Sequence, residues 1–279
     1  MIEQKKTKNG FAYLEIINKS ACAKVALQGA HLFHYQQQDK NPLLWISEKS
    51  FFENGRAIRG GIPICWPWFG RHKTDQNLPQ HGFARTSLWT LVETTEPDEF
   101  SSELLFQLEN SRQTLKLWPY QFKLQLRIRI SSSLKIELTT KNCGPEPFEI
   151  SSALHSYFAV HDINEVFIDG LDSCTYFDAL TKESEIQQGN IYIREETDRV
   201  YQNVPPHLTL HDRKKIVHIH SQGSSSAVIW NPWIEKSARM GDMTKDAYKT
   251  MVCIETANAF TDTRNLDSHD EHTLLAIIS

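Results

Sequence analysis

Between Phe122 and Ile130 the chain alternates without a break. Phe122, Leu124, Leu126, Ile128 and Ile130 are separated by Lys123, Gln125, Arg127 and Arg129. Successive side chains of an extended backbone point to opposite faces, so this run makes a strand with one dry and one wet face. Three serines follow, and the alternation resumes through Leu134, Ile136 and Leu138. That arrangement reads as a hairpin in an antiparallel sheet.

The rest of the chain repeats the pattern. Strand candidates are "FAYLEII", "AKVAL", "SLWTLVE", "SELLFQLE", "FEISSALHSYFAV", "EVFIDG", "KIVHIHSQ", "SAVIW", "TMVCIETA" and "TLLAIIS". Short helices are expected near "MTKDAYK" and within "ISEKSFF". Many short strands with few helices indicate an all-β sandwich or barrel. At 279 residues, with no repeat or linker, one domain spanning residues 1–279 is the economical reading.

Composition narrows the function classes. A net charge of −4 lacks the basic excess of a nucleic-acid or membrane-surface binder. Cys22, Cys65, Cys143, Cys174 and Cys253 are scattered and odd in number, which reads as reduced thiols with no zinc cage. The start, "MIEQKKTKNG", has no apolar signal core, and no apolar run approaches a membrane span. A cytoplasmic protein is expected, and a monomer, since no interface signal stands out.

Residues 51–85 break the pattern. They hold five of the twelve glycines, three prolines, Trp66, Trp68, and Arg56, Arg59, Arg71 and Arg85. The core of the stretch is "RGGIPICWPWFG". An irregular connection of this length is functional or disordered, and its aromatic content argues for order. Glycines permit close backbone approach, indoles offer flat faces, and guanidinium groups fork onto anions. A phosphorylated sugar fits those groups; a loop that plugs one end of a sandwich fits equally. The spacing matches no nucleotide phosphate loop.

Other candidates are His155, in "SSALHSYFAV", and Glu255, in "MVCIETAN". A polar ring and a carboxylate on apolar strands need partners. They form either an acid and a base or a satisfied core pair. His31 with His34, and His218 with His220, read as packing or solvated histidines rather than metal ligands.

The motifs "RGGIPICWPWFG", "PQHGFAR", "LHSYF", "ETDRVY", "WNPW" and "MVCIETAN", in this order, resemble the glucose-6-phosphate 1-epimerases of the aldose 1-epimerase, or galactose mutarotase-like, superfamily. The resemblance spans residues 56–258 and implies a large antiparallel β-sandwich with a carbohydrate groove on one sheet. It implies interconversion of the α and β anomers of a hexose 6-phosphate, with no cofactor and no metal. By motif match His155 is the general acid and Glu255 the general base. Arg59 and Arg85 match positions that bind the phosphorylated sugar; Gln80, His81 and Asp198 match further sugar contacts. Thr256 departs from the usual Pro or Ala. Alternatives are an aldose 1-epimerase of unphosphorylated sugars and a non-catalytic carbohydrate-binding protein.

Overall fold

The computed structural model describes residues 1–213 and 215–279. The hairpin is present: Phe122–Ile130 pairs antiparallel with Leu134–Asn142, with Leu126 opposite Leu138. Both strands bury alternate residues, because the two-residue period sends every apolar side chain to one face.

These strands sit in a nine-stranded sheet that also contains Ser101–Glu109, Glu271–Ile278 and Lys215–Gln222. An eight-stranded sheet is centred on Met251–Asn258. That strand pairs with Ser226–Asn231 on one side, and with Ser152–Leu154 and Tyr157–Ala159 on the other. A four-stranded meander runs from Ile2 to Gln37. Among the described residues the strands pair antiparallel, and one isolated bridge, between Trp66 and Gly82, is parallel.

The two large sheets share a core. Leu124, Leu126, Ile136 and Leu138 from one join Leu154, Ile229, Val252 and Ile254 from the other. Thr256 also lies on the core side, where its hydroxyl shares a 2.7 Å hydrogen bond with Ser221 Oγ. The alternative residues of the same strand, Cys253 and Glu255, point away from this core.

Several expectations need correction. "FEISSALHSYFAV" is three short strands, Phe148–Ile150, Ser152–Leu154 and Tyr157–Ala159. The break occurs because the glycine-rich loop supplies the missing partners: His155 N–H donates to Pro63 O at 3.1 Å, and Tyr157 N–H to Gly61 O at 2.9 Å. "ISEKSFF" forms a turn, closed by Ser50 N–H on Ser47 O at 3.0 Å. The turn near "MTKDAYK" is a single 3₁₀ element, Ala247–Thr250, whereas the longer helix Trp233–Arg239 begins within "WNPW". Its apolar signal was too short to separate from the preceding strand.

Trp66 and Trp68 do not wall a groove. Trp66 is fully buried, its ring centroid 4.5 Å from Phe122 and 5.1 Å from Trp118, and its indole N–H donates to Thr140 Oγ1 at 3.0 Å. Trp68 donates to Pro79 O at 2.9 Å. Both rings anchor the loop, so the end-plug reading holds for this part of it.

Candidate active site

The Gly60–Gly61 pair sets the geometry. Gly61 N–H donates to Trp45 O at 2.7 Å and Ile62 N–H to Leu32 O at 2.8 Å, threading the loop between two neighbours. Both glycines have positive φ, 112° and 65°. A Cβ on Gly60 would lie 2.5 Å from Trp45 O, and one on Gly61 2.7 Å from Phe33 Cα. Only glycine fits there. The neighbouring residues, Arg59 before and Pro63 after, are thereby held against the His155 segment.

His155 Nε2 lies 3.2 Å from Glu255 Oε1. Glu255 is 2% exposed and His155 7%. Burial holds the Glu255 carboxyl well above the usual carboxylate range, and the nearby Asp198 carboxylate pushes the same way. Burial also pulls His155 well below the usual histidine range, helped by His81, Arg59 and Arg85. Both shifts favour the uncharged forms of the two groups. His155 Nδ1 and Glu255 Oε2 are buried with no protein partner, which leaves polar valences turned to whatever occupies the site.

Tyr157 stacks on His155, with centroids 4.8 Å apart and planes at 11°, and Trp45 stacks behind it at 5.9 Å. Trp230 meets the His155 ring edge-on at 6.2 Å. These rings, rather than Trp66 and Trp68, form the aromatic surroundings of the pair. Tyr157 stands within a recognised motif, yet a tyrosine on an apolar strand carries no signal that separates it from core. Its hydroxyl accepts from Arg59 Nη1 at 2.9 Å, while Arg59 Nε donates to Asp242 Oδ2 at 3.0 Å. Asp242 had no sequence signal either: it reaches the site across 183 residues of chain.

The remaining candidates have distinct places. Arg85 Nη2 donates to Gln80 O at 2.7 Å, so Gln80 serves Arg85 through its backbone, and its side chain lies on an exposed residue. His81 adopts φ 63°, its Nδ1 accepts from Gly70 N–H at 3.2 Å, and its ring lies 5.8 Å from that of His155. Burial, reinforced by Arg85 and Arg59, pulls His81 down to about 3. Asp198 sits on Thr197–Gln202, two strands from Glu255, and faces Lys236 Nζ at 3.5 Å. Lys236 also pairs with Glu196 at 2.9 Å and lies 5.8 Å from the Trp230 ring. Thus His155, Glu255, His81 and Arg59 converge, Arg85 and Asp198 act on the pair electrostatically, and Gln80 is joined to them through Arg85.

The other histidines have separate partners. His31 Nε2 donates to Gly60 O at 2.8 Å, and His34 Nε2 lies 3.7 Å from Cys22 Sγ. His220 stacks on His207 at 4.3 Å. Two concavities, of about 550 and 470 Å³, share Asp212, Lys215 and Ile216 and include neither His155 nor Glu255. Among the described residues no helix is long and apolar enough to cross a membrane.

Comparison with known proteins shows the family. The family described as aldose 1-epimerase matches residues 13–278. A protein of Escherichia coli K12 named "Putative glucose-6-phosphate 1-epimerase" is 41% identical over 241 residues, covering 85% of this chain and 80% of the relative. The crystal structure of a "putative mutarotase (YeaD)" from Salmonella typhimurium superposes with a TM-score of 0.93 at 34% identity, over 99% of this chain and 92% of that one. A galactose mutarotase-like protein from Clostridium acetobutylicum, 14% identical, shares the fold with a TM-score of 0.79 over 100% of this chain and 98% of that one. The chain belongs to the aldose 1-epimerase family.

Proposed function

We propose that this chain interconverts the anomers of a hexose 6-phosphate, with Glu255 as general base and His155 as general acid. Family membership carries the coarser statement: the chain is an isomerase that acts on hexose anomers. The observation that supports the assignment of roles is the buried 3.2 Å contact between His155 and Glu255, each with a second polar atom left unpartnered.

The chemistry needs an acid beside a base, because the two oxygens concerned share one carbon. A proton passed from the Glu255 carboxyl to His155 converts the pair to carboxylate and imidazolium without changing its net charge. Glu255 then takes the proton of the anomeric hydroxyl while His155 protonates the ring oxygen. The bond from C1 to the ring oxygen breaks and C1 becomes an aldehyde carbon. Rotation about C1–C2 and closure on the other face reverse both transfers and restore the pair. Each well-placed transfer contributes about 10²–10⁴ in rate.

The phosphate is assigned to Arg85 and Arg59, with His81 and Asp198 contacting the sugar and Gln80 holding Arg85. One observation favours the second reading, an epimerase of free sugars: Arg59 is already paired with Asp242. The carboxylate offsets part of its charge. The test is NMR anomer exchange on glucose 6-phosphate and on glucose, with wild type and Arg85→Ala. Loss of a charge-assisted hydrogen bond should raise KM for the phosphorylated sugar about 10- to 100-fold and leave glucose nearly unchanged. Equal effects on both sugars would favour the free-sugar reading.

A further inference from the structure

We propose that His155, Glu255 and Cys253 form a binding site for a thiophilic divalent cation of the zinc class, and that the cation excludes sugar from the acid–base pair. The exclusion rests on the reading of the pair given above; the binding does not. One donor atom from each residue lies within 4.8 Å of the other two, and all three residues are buried. Cys253 and Glu255 are two apart on one strand, so they share a face, and His155 enters from the break in the neighbouring strand.

The donor set selects the cation. Thiolate, imidazole and carboxylate together suit zinc, whereas magnesium and calcium take oxygen ligands. Zinc bonds of about 2.0–2.3 Å in a tetrahedron place donors roughly 3.3–3.8 Å apart. His155 and Glu255 already stand 3.2 Å apart, and the thiol, within 4.8 Å of both, has to close by no more than about 1.5 Å to complete the set. Three ligands leave the fourth position open to water or a sugar hydroxyl. The unpartnered Glu255 Oε2 and His155 Nδ1 show that the protein itself does not exhaust the polar capacity of these two side chains.

Charge balance favours binding. Bound as thiolate and carboxylate, Cys253 and Glu255 together offset the two positive charges of the cation. A net positive complex would be disfavoured beside Arg59 and Arg85, both close enough to act on His155. Cys253 has no part in the proton transfers described above, so the metal site gives its buried thiol a role that core packing does not.

The test is a titration of the full chain with Cd²⁺, reading the thiolate-to-cadmium absorption band in the ultraviolet, alongside anomer exchange with added Zn²⁺. A band of one-to-one stoichiometry that glucose 6-phosphate displaces is expected, with Zn²⁺ inhibiting and Mg²⁺ inert. Cys253→Ser should lose the band and weaken Zn²⁺ inhibition by about tenfold or more. Glu255→Gln should keep a band at affinity weaker by about tenfold, which guards against a folding failure in the cysteine variant. Cys22→Ser removes a thiol that lies 3.7 Å from the His34 imidazole, away from the pair, and should change nothing. A band that survives Cys253→Ser would overturn the proposal; a band that neither glucose 6-phosphate nor glucose displaces would overturn the exclusion of sugar. Because the band is read without turnover, an inactive wild type that still shows it would sink the acid–base reading alone.

Discussion

The two faces of the Met251–Asn258 strand do different jobs with alternate residues of one short sequence. Val252 and Ile254 point into the core between the two large sheets, among Leu154, Ile229 and Phe158. Cys253 and Glu255 point the other way, toward His155, Tyr157 and Trp230. Every residue of the strand is buried, so burial alone does not distinguish structure from chemistry. The distinction lies in satisfaction. The core face is apolar or closed, as where Thr256 meets Ser221, whereas the other face leaves polar atoms without protein partners. A site is recognised here by what it leaves unpaired.

Substitutions one residue apart should separate the faces. The largest effect is expected from Glu255→Gln, which keeps the shape and removes the base. Anomer exchange should fall about 10²–10⁴-fold, with thermal stability unchanged or raised, because burial already disfavours the charged carboxylate. A variant with wild-type turnover would remove Glu255 from the mechanism. Ile254→Ala, on the core face, should do the reverse. A cavity there costs about 2–5 kcal/mol in denaturant unfolding, while activity per folded molecule persists. If that variant were stable but inactive, the division between the faces would fail.

A smaller, pH-dependent effect tests the support beneath the loop. His31 is fully buried, and burial pulls it down to about 4, against an ordinary value of 6.5. Between those values the unfolded chain binds a proton that the folded chain does not. Stability is therefore fully present above pH 6.5 and declines as pH falls toward 4, by about 1.4 kcal/mol per unit for this residue. Urea unfolding at pH 7 and pH 5 should show the loss in wild type and a smaller one in His31→Gln. An unchanged pH slope in the variant would assign the effect to other buried histidines, His81 first.

How much of this could be read in advance follows from the range of each cause. The alternation in Phe122–Ile130 and Leu134–Asn142 is local, and the hairpin stands as expected, in register. His155 and Glu255 stood out as polar residues on apolar runs, and the structure brings them together. The strand through His155 was misjudged, since its interruption is caused by carbonyls of residues 61 and 63 that approach from far along the chain. Trp66 was left open for a related reason: indoles in a glycine-rich loop look the same whether they meet a ligand or a core. Asp242, Lys236 and Tyr157 gave no warning, since an ordinary residue acquires its place only through the partner it meets.

The sequence by itself determined the all-β class, the hairpin and the two polar residues that stand out on apolar strands, because period and polarity act between neighbours along the chain. Only the tertiary structure decided that His155 and Glu255 touch, that Arg59 is tied to Asp242, and that a thiol stands beside the pair. Those facts depend on contacts between segments up to 183 residues apart, and such contacts exist only once the chain has closed on itself.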